Sequence, residues 1–245
     1  MKKVLLLIFV SLFSMALFAQ ESDGAAEKNA GNAAWKAKNF KDAFANFEKY
    51  LEIVKYSDAA YLYNTAVAAD RIENYLAAEK YFDMAIRKNY KLGDSYFGKA
   101  KAQEDLKKEA EMVATLEAGL KAVPGNTKLE NTYGNYFLKK GVEAQTAGNI
   151  SKASEQYGKI TALKNKALKT KAYTALGSLH FNNGASILQK ATPIANSDKE
   201  KYEVEKANAL EEFNEALKQA NQALAVSPED ADVKQLIADI KNAMK

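Results

Sequence analysis

The 245-residue chain has no cysteine, a single histidine, only three prolines and one tryptophan. Without cysteine it can form no disulfide and can carry no lipid attached to a cysteine side chain. A zinc site or a catalytic dyad needs several ligands, or a nucleophile beside a base, and only carboxylates are at hand to assist His180. The composition therefore leaves little room for thiol, zinc or histidine-based chemistry.

Other residues that often carry catalysis have simpler interpretations here. His180 falls in a predicted helix near the base of a hairpin, where a structural role is the plainer hypothesis. The 12 glycines are scattered at helix-packing positions rather than gathered in a phosphate-binding loop. The acidic pairs Glu211-Glu212 and Glu229-Asp230 are expected on solvent faces or at a helix start. We predict that the protein is not an enzyme and needs no metal or cofactor.

The beginning of the chain has the pattern of a secretory signal peptide. Met1-Lys2-Lys3 is followed by an apolar run from Val4 to Ala19 that is short for a membrane-spanning helix. We expect cleavage after Ala19, with an uncleaved N-terminal anchor as the alternative. The mature protein is therefore expected to be exported, to the periplasm in the first instance, with a secreted or envelope-associated location as the alternatives.

Charge and composition describe the remainder of the chain. Loss of residues 1–19 would remove two lysines and no acid, so the formal net charge would fall from +4 to +2. This near-balance argues against a general nucleic-acid-binding protein. Alanine, lysine, glutamate, leucine and asparagine dominate, and no strand-like alternation is present, which favours an all-α fold.

A repeated stretch organises the chain. Residues 39–50 and 74–85 share a polar cap, an aromatic residue, a small residue three positions later and another aromatic four positions beyond. Ala43 and Ala78, the small residues of the two copies, are 35 positions apart. A period of this size indicates a stacked array of helix pairs. The predicted helices span about 25–37, 40–54, 58–71, 74–88, 92–104, 107–121, 126–147, 150–163, 166–190, 198–226 and 229–244.

The repeated register resembles that of the tetratricopeptide repeat (TPR) family. A small residue recurs in the first helix of each unit, and aromatic and small residues recur in the second. The first set is Gly31, Ala66, Ala100, Gly141 and Gly177; the second includes Phe40, Tyr75 and Phe213, and Ala43, Ala78, Ala153 and Ala216. The resemblance implies a right-handed superhelical array of antiparallel helix pairs. The expected organisation is four repeats over 20–164, an elongated fifth over 165–228 and a capping helix over 229–245.

The elongated fifth repeat follows from a break in the period. About 27 extra residues separate Gly177 from Ala216, so both helices of this unit are expected to lengthen into a protruding hairpin. A seam is predicted for its second helix, along Leu210, Phe213, Leu217, Ala220 and Leu224. Ser197 with Glu200 is predicted to cap the start of that helix, and Ser227-Pro228 the start of the last one. The fourth unit also departs, since Met112 and Ala153 are 41 positions apart.

The resemblance also implies a binding surface on the inner, concave face. The residues that would face this groove are Lys28, Asn32, Trp35, Lys36, Tyr63, Asn64, Arg71, Phe97, Lys101, Asn135 and Lys139. Their aromatic, amide and cationic side chains suit a protein or peptide partner. Some family members clamp a terminal carboxylate; Lys28, Asn32 and Asn64 match three positions of that clamp, whereas Asp94 and Gly98 replace its remaining cations.

Two functions remain open at this point. The first is a non-catalytic adapter or scaffold of the bacterial cell envelope that binds protein through the groove. The second is a structural or self-assembling component of an envelope complex that associates through the hairpin at 166–226. An enzyme is a distant third hypothesis.

Overall fold

A computed structural model describes residues 23–245, and the signal peptide expected at residues 1–19 lies outside this part. The described chain folds into eleven α-helices and one short 3₁₀ helix, without a strand. The helices are α1 (Ala25–Lys36), α2 (Phe40–Ile53), α3 (Ala59–Arg71), α4 (Tyr75–Arg87), α5 (Leu92–Asp105), α6 (Glu109–Ala122), α7 (Thr127–Thr146), α8 (Ile150–Gly158), α9 (Lys166–Ala191), α10 (Lys199–Val226) and α11 (Ala231–Ala243), with the 3₁₀ helix at Thr192–Ile194.

Each helix packs on the next, so the chain forms a row of antiparallel pairs. The odd-numbered helices from α3 onward also contact the next odd-numbered helix, whereas successive even-numbered helices are farther apart. The odd-numbered helices are therefore crowded on the inside of a curved array, and the even-numbered helices form its outer layer. The predicted all-α array with a capping helix is confirmed.

The core pairs a small residue with a large one, as the register predicts. All five small residues of the first helices are buried. A methyl group at Gly31 would meet the ring of Phe47 within 2.5 Å, and one at Gly141 would collide with the ring of Tyr157. The second helix of a pair thus lies close enough to bury its aromatic ring against bare backbone.

Polar residues begin most helices. The side chain of Asn39 accepts a hydrogen bond from the Asp42 amide, which confirms the predicted cap. Two other predicted caps were wrong. Asp198, not Ser197, caps α10, because its carboxylate reaches the Lys201 amide at 3.1 Å. The last helix begins at Ala231, after Ser227-Pro228, and Asp230 is its cap.

The fourth repeat differs from the others in both helices. The 20-residue α7 is longer than any earlier helix, whereas α8 ends at Gly158 and not near 163 as predicted. The turn that replaces the end of α8 buries Ile160 and Leu163 in the core. The buried carboxylate of Glu130, on α7, accepts a hydrogen bond from the Lys164 amide at 2.7 Å and fixes this turn.

The expected hairpin is formed by α9 and α10, and its predicted seam is correct only in part. Phe213 and Ala220 are buried as predicted, but Leu210 is 43% exposed, and Leu217 and Leu224 are only partly buried. Small residues take the place of these leucines: Ala209, Ala216 and Ala223 on α10 are buried together with Phe213 and Ala220. The glycines of α9 explain the shift, since a methyl group at Gly184 would lie 3.0 Å from the Ala209 carbonyl oxygen. Bare backbone lets the two helices approach closely on their alanine faces.

Candidate functional site

The inner faces of α1, α3, α5 and α7 form a concave groove, which carries the predicted binding residues. The groove is not uniform along its length. Internal contacts occupy Lys28 and Asn32 of the first repeat, whereas two cavities open farther along.

Lys28 is held by a polar network at the beginning of the groove. Its ammonium lies 3.4 Å from an Asp58 carboxylate oxygen, donates to the Tyr50 hydroxyl at 3.3 Å, and sits 4.5 Å from the ring centroid of Tyr61. The Tyr50 hydroxyl in turn donates to Asp58 at 2.8 Å. The hydrogen bond with Tyr50 raises the pKa of Lys28 against the opposite effect of burial. Lys28 thus joins the first repeat to the second.

The carboxylate of Asp58 is the centre of this network. Burial on its own would raise the pKa of Asp58, but the hydrogen bonds from Tyr50 and the Tyr61 amide, with the charge of Lys28, hold it below its ordinary value. The same side chain caps α3. Asp58 therefore remains ionised at neutral pH and serves both the helix start and the contact between repeats.

Asn32 is also engaged within the molecule. Its side-chain amide nitrogen and the Tyr61 hydroxyl lie 2.7 Å apart. With Lys28 already paired, two of the three residues that match the carboxylate clamp are turned to internal contacts. The third repeat does not restore the clamp, because Asp94 forms an ion pair with Lys128 at 2.5 Å.

Trp35 packs on its own repeat rather than standing free in the groove. Its ring lies edge-on to Phe40, with centroids 5.4 Å apart, and is tilted against Phe47 at 6.2 Å. The Arg71 guanidinium of α3 lies 5.8 Å from the Phe40 centroid, on the same aromatic group. Lys36, the next residue on α1, is exposed, and Asn64 on α3 is half-buried.

An aromatic pocket lies between α3 and α5. It has a volume of about 140 Å³ and unites three predicted residues, Tyr63, Phe97 and Lys101. Its full lining is Tyr63, Val67, Asp70, Phe82, Asp94, Phe97, Gly98, Lys101 and Lys128. Burial raises the pKa of Tyr63, so this hydroxyl is neutral at physiological pH. A side chain at Gly98 would collide with the ring of Phe82 that forms the floor.

A larger junction cleft opens where the third repeat meets the fourth. Its volume is about 490 Å³. It contains the predicted residues Asn135 and Lys139, together with Glu104, which the register also places on the groove face. The six lining residues that sequence reasoning missed are Lys107, Glu109, Met112, Thr132, Tyr136 and Lys140. The available signal was the 41-residue interval between Met112 and Ala153, which marked this junction as irregular without giving its shape.

His180 lies outside the groove, beside the hairpin base. Its Nδ1 is 2.7 Å from Glu212 Oε2. Glu212 is half-buried and does not lie on the solvent face that the sequence suggested. Ser151 and Ser154 line the same open depression. Across residues 23–245, however, no serine hydroxyl hydrogen-bonds to His180, and no three metal-binding side chains converge. Within the same residues, no helix has the length and apolar character needed to span a bilayer.

Comparison with known proteins identifies the repeat. A TPR repeats protein from Bacteroides fragilis superposes with a TM-score of 0.88 at 44% sequence identity, over 90% of this chain and 99% of that one. YrrB, described as a TPR protein with an unusual peptide-binding site, gives 0.42 at 16% identity over 91% and 94%. A TPR protein of Thermus thermophilus gives 0.34 at 17% over 89% and 99%. No protein-family model and no curated protein matches the chain.

The fold and these comparisons define an all-α solenoid of antiparallel helix pairs. The chain belongs to the tetratricopeptide repeat family. Its right-handed superhelical array has about five repeats, with an elongated last repeat and a terminal capping helix.

Proposed function

We propose that the protein is an exported, non-catalytic adapter or scaffold of the bacterial cell envelope that binds a protein or peptide in its concave groove. One observation carries the proposal: α5 lines both cavities of the groove, with Phe97 in the aromatic pocket and Glu104 in the junction cleft. A partner lying along α5 would contact both at once. Among the predicted residues, Tyr63, Phe97 and Lys101 line the aromatic pocket, and Asn135 and Lys139 line the junction cleft.

The aromatic pocket has the size and chemistry of an anchor site. Its volume of about 140 Å³ is close to that of a protein cavity that holds a benzene ring. Tyr63, Phe82 and Phe97 supply apolar surface, while the Asp94–Lys128 ion pair lies at its edge. Binding energy at protein interfaces is concentrated where one large side chain fills such a site inside a polar rim.

A crosslinking pull-down with tagged mature protein in its own cells tests the proposal. The informative variant is Tyr63→Ala with Phe97→Ala, and Leu76→Ala is the control because Leu76 is 63% exposed on the outer helix α4. A partner recovered by wild type and control but lost in the double variant supports the groove. Equal recovery by all three proteins would reject it.

The location rests on the sequence of residues 1–19. We propose that this segment directs export to the periplasm and is removed after Ala19. Mass spectrometry of the protein from an osmotic-shock fraction should find Gln20 as the first residue. A chain retained with the cytoplasmic fraction and still bearing residues 1–19 would contradict the proposal.

The hairpin supports the second candidate, self-assembly. Val204 and Leu210, six residues apart on α10, are 55% and 43% exposed. If exposed faces of the hairpin join copies of the chain, light scattering should show an oligomer that Val204→Lys with Leu210→Lys returns to a monomer. A wild-type monomer at all concentrations would remove this candidate.

A further inference from the structure

We propose that the junction cleft binds an acidic segment of the partner, with a carboxylate between Lys107 and Lys139 and an apolar side chain beneath it. This inference rests on the proposed groove function and names the partner's chemistry. It places acid recognition away from the three matching clamp positions, two of which are engaged in contacts within the molecule.

Ion pairing distinguishes Lys107 and Lys139 from the other lysines that line the two groove cavities. Lys28 pairs with Asp58, Lys101 with Asp105 and Lys128 with Asp94. Within the cleft, Lys140 pairs with Glu109 at 2.6 Å. By contrast, Lys107 and Lys139 are exposed and form no ion pair within residues 23–245. Among the lysines that line the two groove cavities, these two have no ion-pair partner in the described part of the chain.

The charges lining the cleft favour an acid over a base. Lys140 and Glu109 form an ion pair, so Lys107 and Lys139 stand against one further carboxylate, that of Glu104. The lining therefore carries one excess positive charge. In a concave surface, the low-dielectric walls concentrate the electric field, so a partner's carboxylate is attracted more strongly there than on a flat face. Electrostatic complementarity of this kind selects among partners and sets their approach.

The floor of the cleft supplies the apolar contact. Met112 is 3% exposed and lies at its base. Tyr136 is held in place because its hydroxyl donates to Glu109 at 2.5 Å, and Glu109 is in turn held by Lys140. Burial and the hydrogen bond to Glu109 both raise the pKa of Tyr136, so the hydroxyl keeps its proton. A fixed ring beside a thioether offers a ready surface for an aliphatic or aromatic side chain.

The irregular fourth repeat creates the cleft. The ion pair between Asp94 and Lys128 aligns the starts of α5 and α7, yet α7 continues to Thr146 while α5 ends at Asp105. Aligned residue by residue, α7 extends about 10 Å past α5. The turn after α5 brings Lys107 to the edge of this gap, in a left-handed backbone conformation with φ of 59°.

The two cavities also set a spacing for the partner. Phe97 and Glu104 are seven residues apart on α5, a rise of about 10 Å. An extended chain covers that distance in about three residues. Lys107 lies beyond Glu104 along the chain, so the partner segment is expected to carry an aspartate or glutamate at least three or four positions from its large apolar anchor.

Selection from a random 12-residue peptide library displayed on phage tests this chemistry. Purified residues 20–245 should enrich peptides with the anchor and the acid at that spacing. For a resynthesised peptide, Lys107→Glu with Lys139→Glu should weaken binding about tenfold or more, because attraction becomes repulsion. The control is Lys121→Glu with Lys241→Glu, which changes net charge equally at exposed sites outside the cleft.

The outcomes separate the inference from the proposed function. Loss of binding in the cleft variant with wild-type binding in the control supports the inference. Enriched peptides that lack the acid, or that bind the cleft variant unchanged, overturn it; if Tyr63→Ala with Phe97→Ala still abolishes their binding, the groove function stands. A library that yields no binder overturns the inference, and the proposed function falls only if the pull-down also finds no groove-dependent partner.

Discussion

The first two repeats and the C-terminal hairpin hold their helices together in different ways. In the first two repeats, tyrosine hydroxyls meet carboxylates across helix boundaries: Tyr50 donates to Asp58 and Tyr81 to Glu48, each at 2.8 Å. In the hairpin, alanines of α10 pack on the glycines of α9, with Phe213 as the largest buried side chain. The first region adds directed polar contacts to its packed core, whereas the hairpin relies mainly on close steric fit.

This difference indicates how each region should respond to change. A directed hydrogen bond to a charged group depends on protonation and tolerates small changes in volume. A close-packed seam depends on volume and is indifferent to moderate changes of pH. The four predictions below separate the two regions, beginning with the largest effect.

Removing the ring of Phe213 should have the largest effect. Phe213→Ala leaves a cavity between α9 and α10, and we expect a loss of about 3–5 kcal/mol in the free energy of unfolding. Urea denaturation followed by circular dichroism measures it. Leu210→Ala on the same helix is the control and should change stability by less than about 0.5 kcal/mol. A loss below about 1 kcal/mol for Phe213→Ala would contradict close packing in the seam.

Adding volume to the seam should be the next most damaging change. At Gly184, even the first side-chain carbon would approach Phe213 to 2.8 Å and the Ala209 carbonyl oxygen to 3.0 Å. Gly184→Val should therefore destabilise the protein by about 1–3 kcal/mol. Gly158→Ala is the control, because nothing lies within 4 Å of an added carbon there. Equal stability of the two variants in thermal unfolding would argue against the close approach of the helices.

In the first two repeats, the loss of stability caused by removing a charge should depend on pH. Asp58→Asn keeps a good helix cap but removes the charge, and we expect a loss of about 1–2 kcal/mol at pH 7. The pKa of Asp58 is lowered on folding, so its contribution is present above the unfolded value of about 3.9 and is lost as pH falls below it.

Urea denaturation at pH 7 and at pH 3 measures this dependence. The difference in the free energy of unfolding between wild type and Asp58→Asn should shrink at pH 3. The effect of Gly184→Val should be nearly the same at both values. A difference for Asp58→Asn that stays constant with pH would show that its charge has no role in joining the repeats.

The smallest of the four effects is expected at Tyr81. Tyr81→Phe removes the hydrogen bond to Glu48 and keeps the buried ring, whose exposure is 1%. Glu48 is only half-buried and can be hydrated, so the expected loss is about 1 kcal/mol. Thermal unfolding of the two proteins in parallel measures it. A variant as stable as wild type would mean that the contact is incidental.

The sequence predicted the fold well because its signals are local. Caps such as Asn39 and the alternation of small and aromatic residues place helices within a few residues, and the 35-residue spacing of Ala43 and Ala78 sets the stacking. Leu210 shows where such signals fail. Leucines at a regular spacing suggested a seam, but the glycines of α9 allow close approach of the helix face of α10 that carries the alanines. The distance between two packed helices depends on the side chains of both, so it cannot be predicted from the sequence pattern of one helix.

The groove was predictable only in part, for a related reason. The register indicates which residues face inward, but not which of them find a partner inside the molecule. Lys28 is taken up by Asp58 and Tyr50, residues 30 and 22 positions away. Lys139 forms no ion pair within residues 23–245. The existence of the cleft beside it depends on where α5 ends relative to α7. Such tertiary contacts divide the groove residues into structural and available ones.

The most direct test of groove binding is site-specific photocrosslinking in the cells that make the protein. The photoreactive amino acid p-benzoylphenylalanine would replace Phe97 in the aromatic pocket in one strain and Leu76 on outer helix α4 in another. If the groove binds a partner, position 97 should give a discrete adduct with another protein and position 76 should give none. An adduct from position 76 alone, or none from position 97 in a folded and correctly located protein, would contradict it.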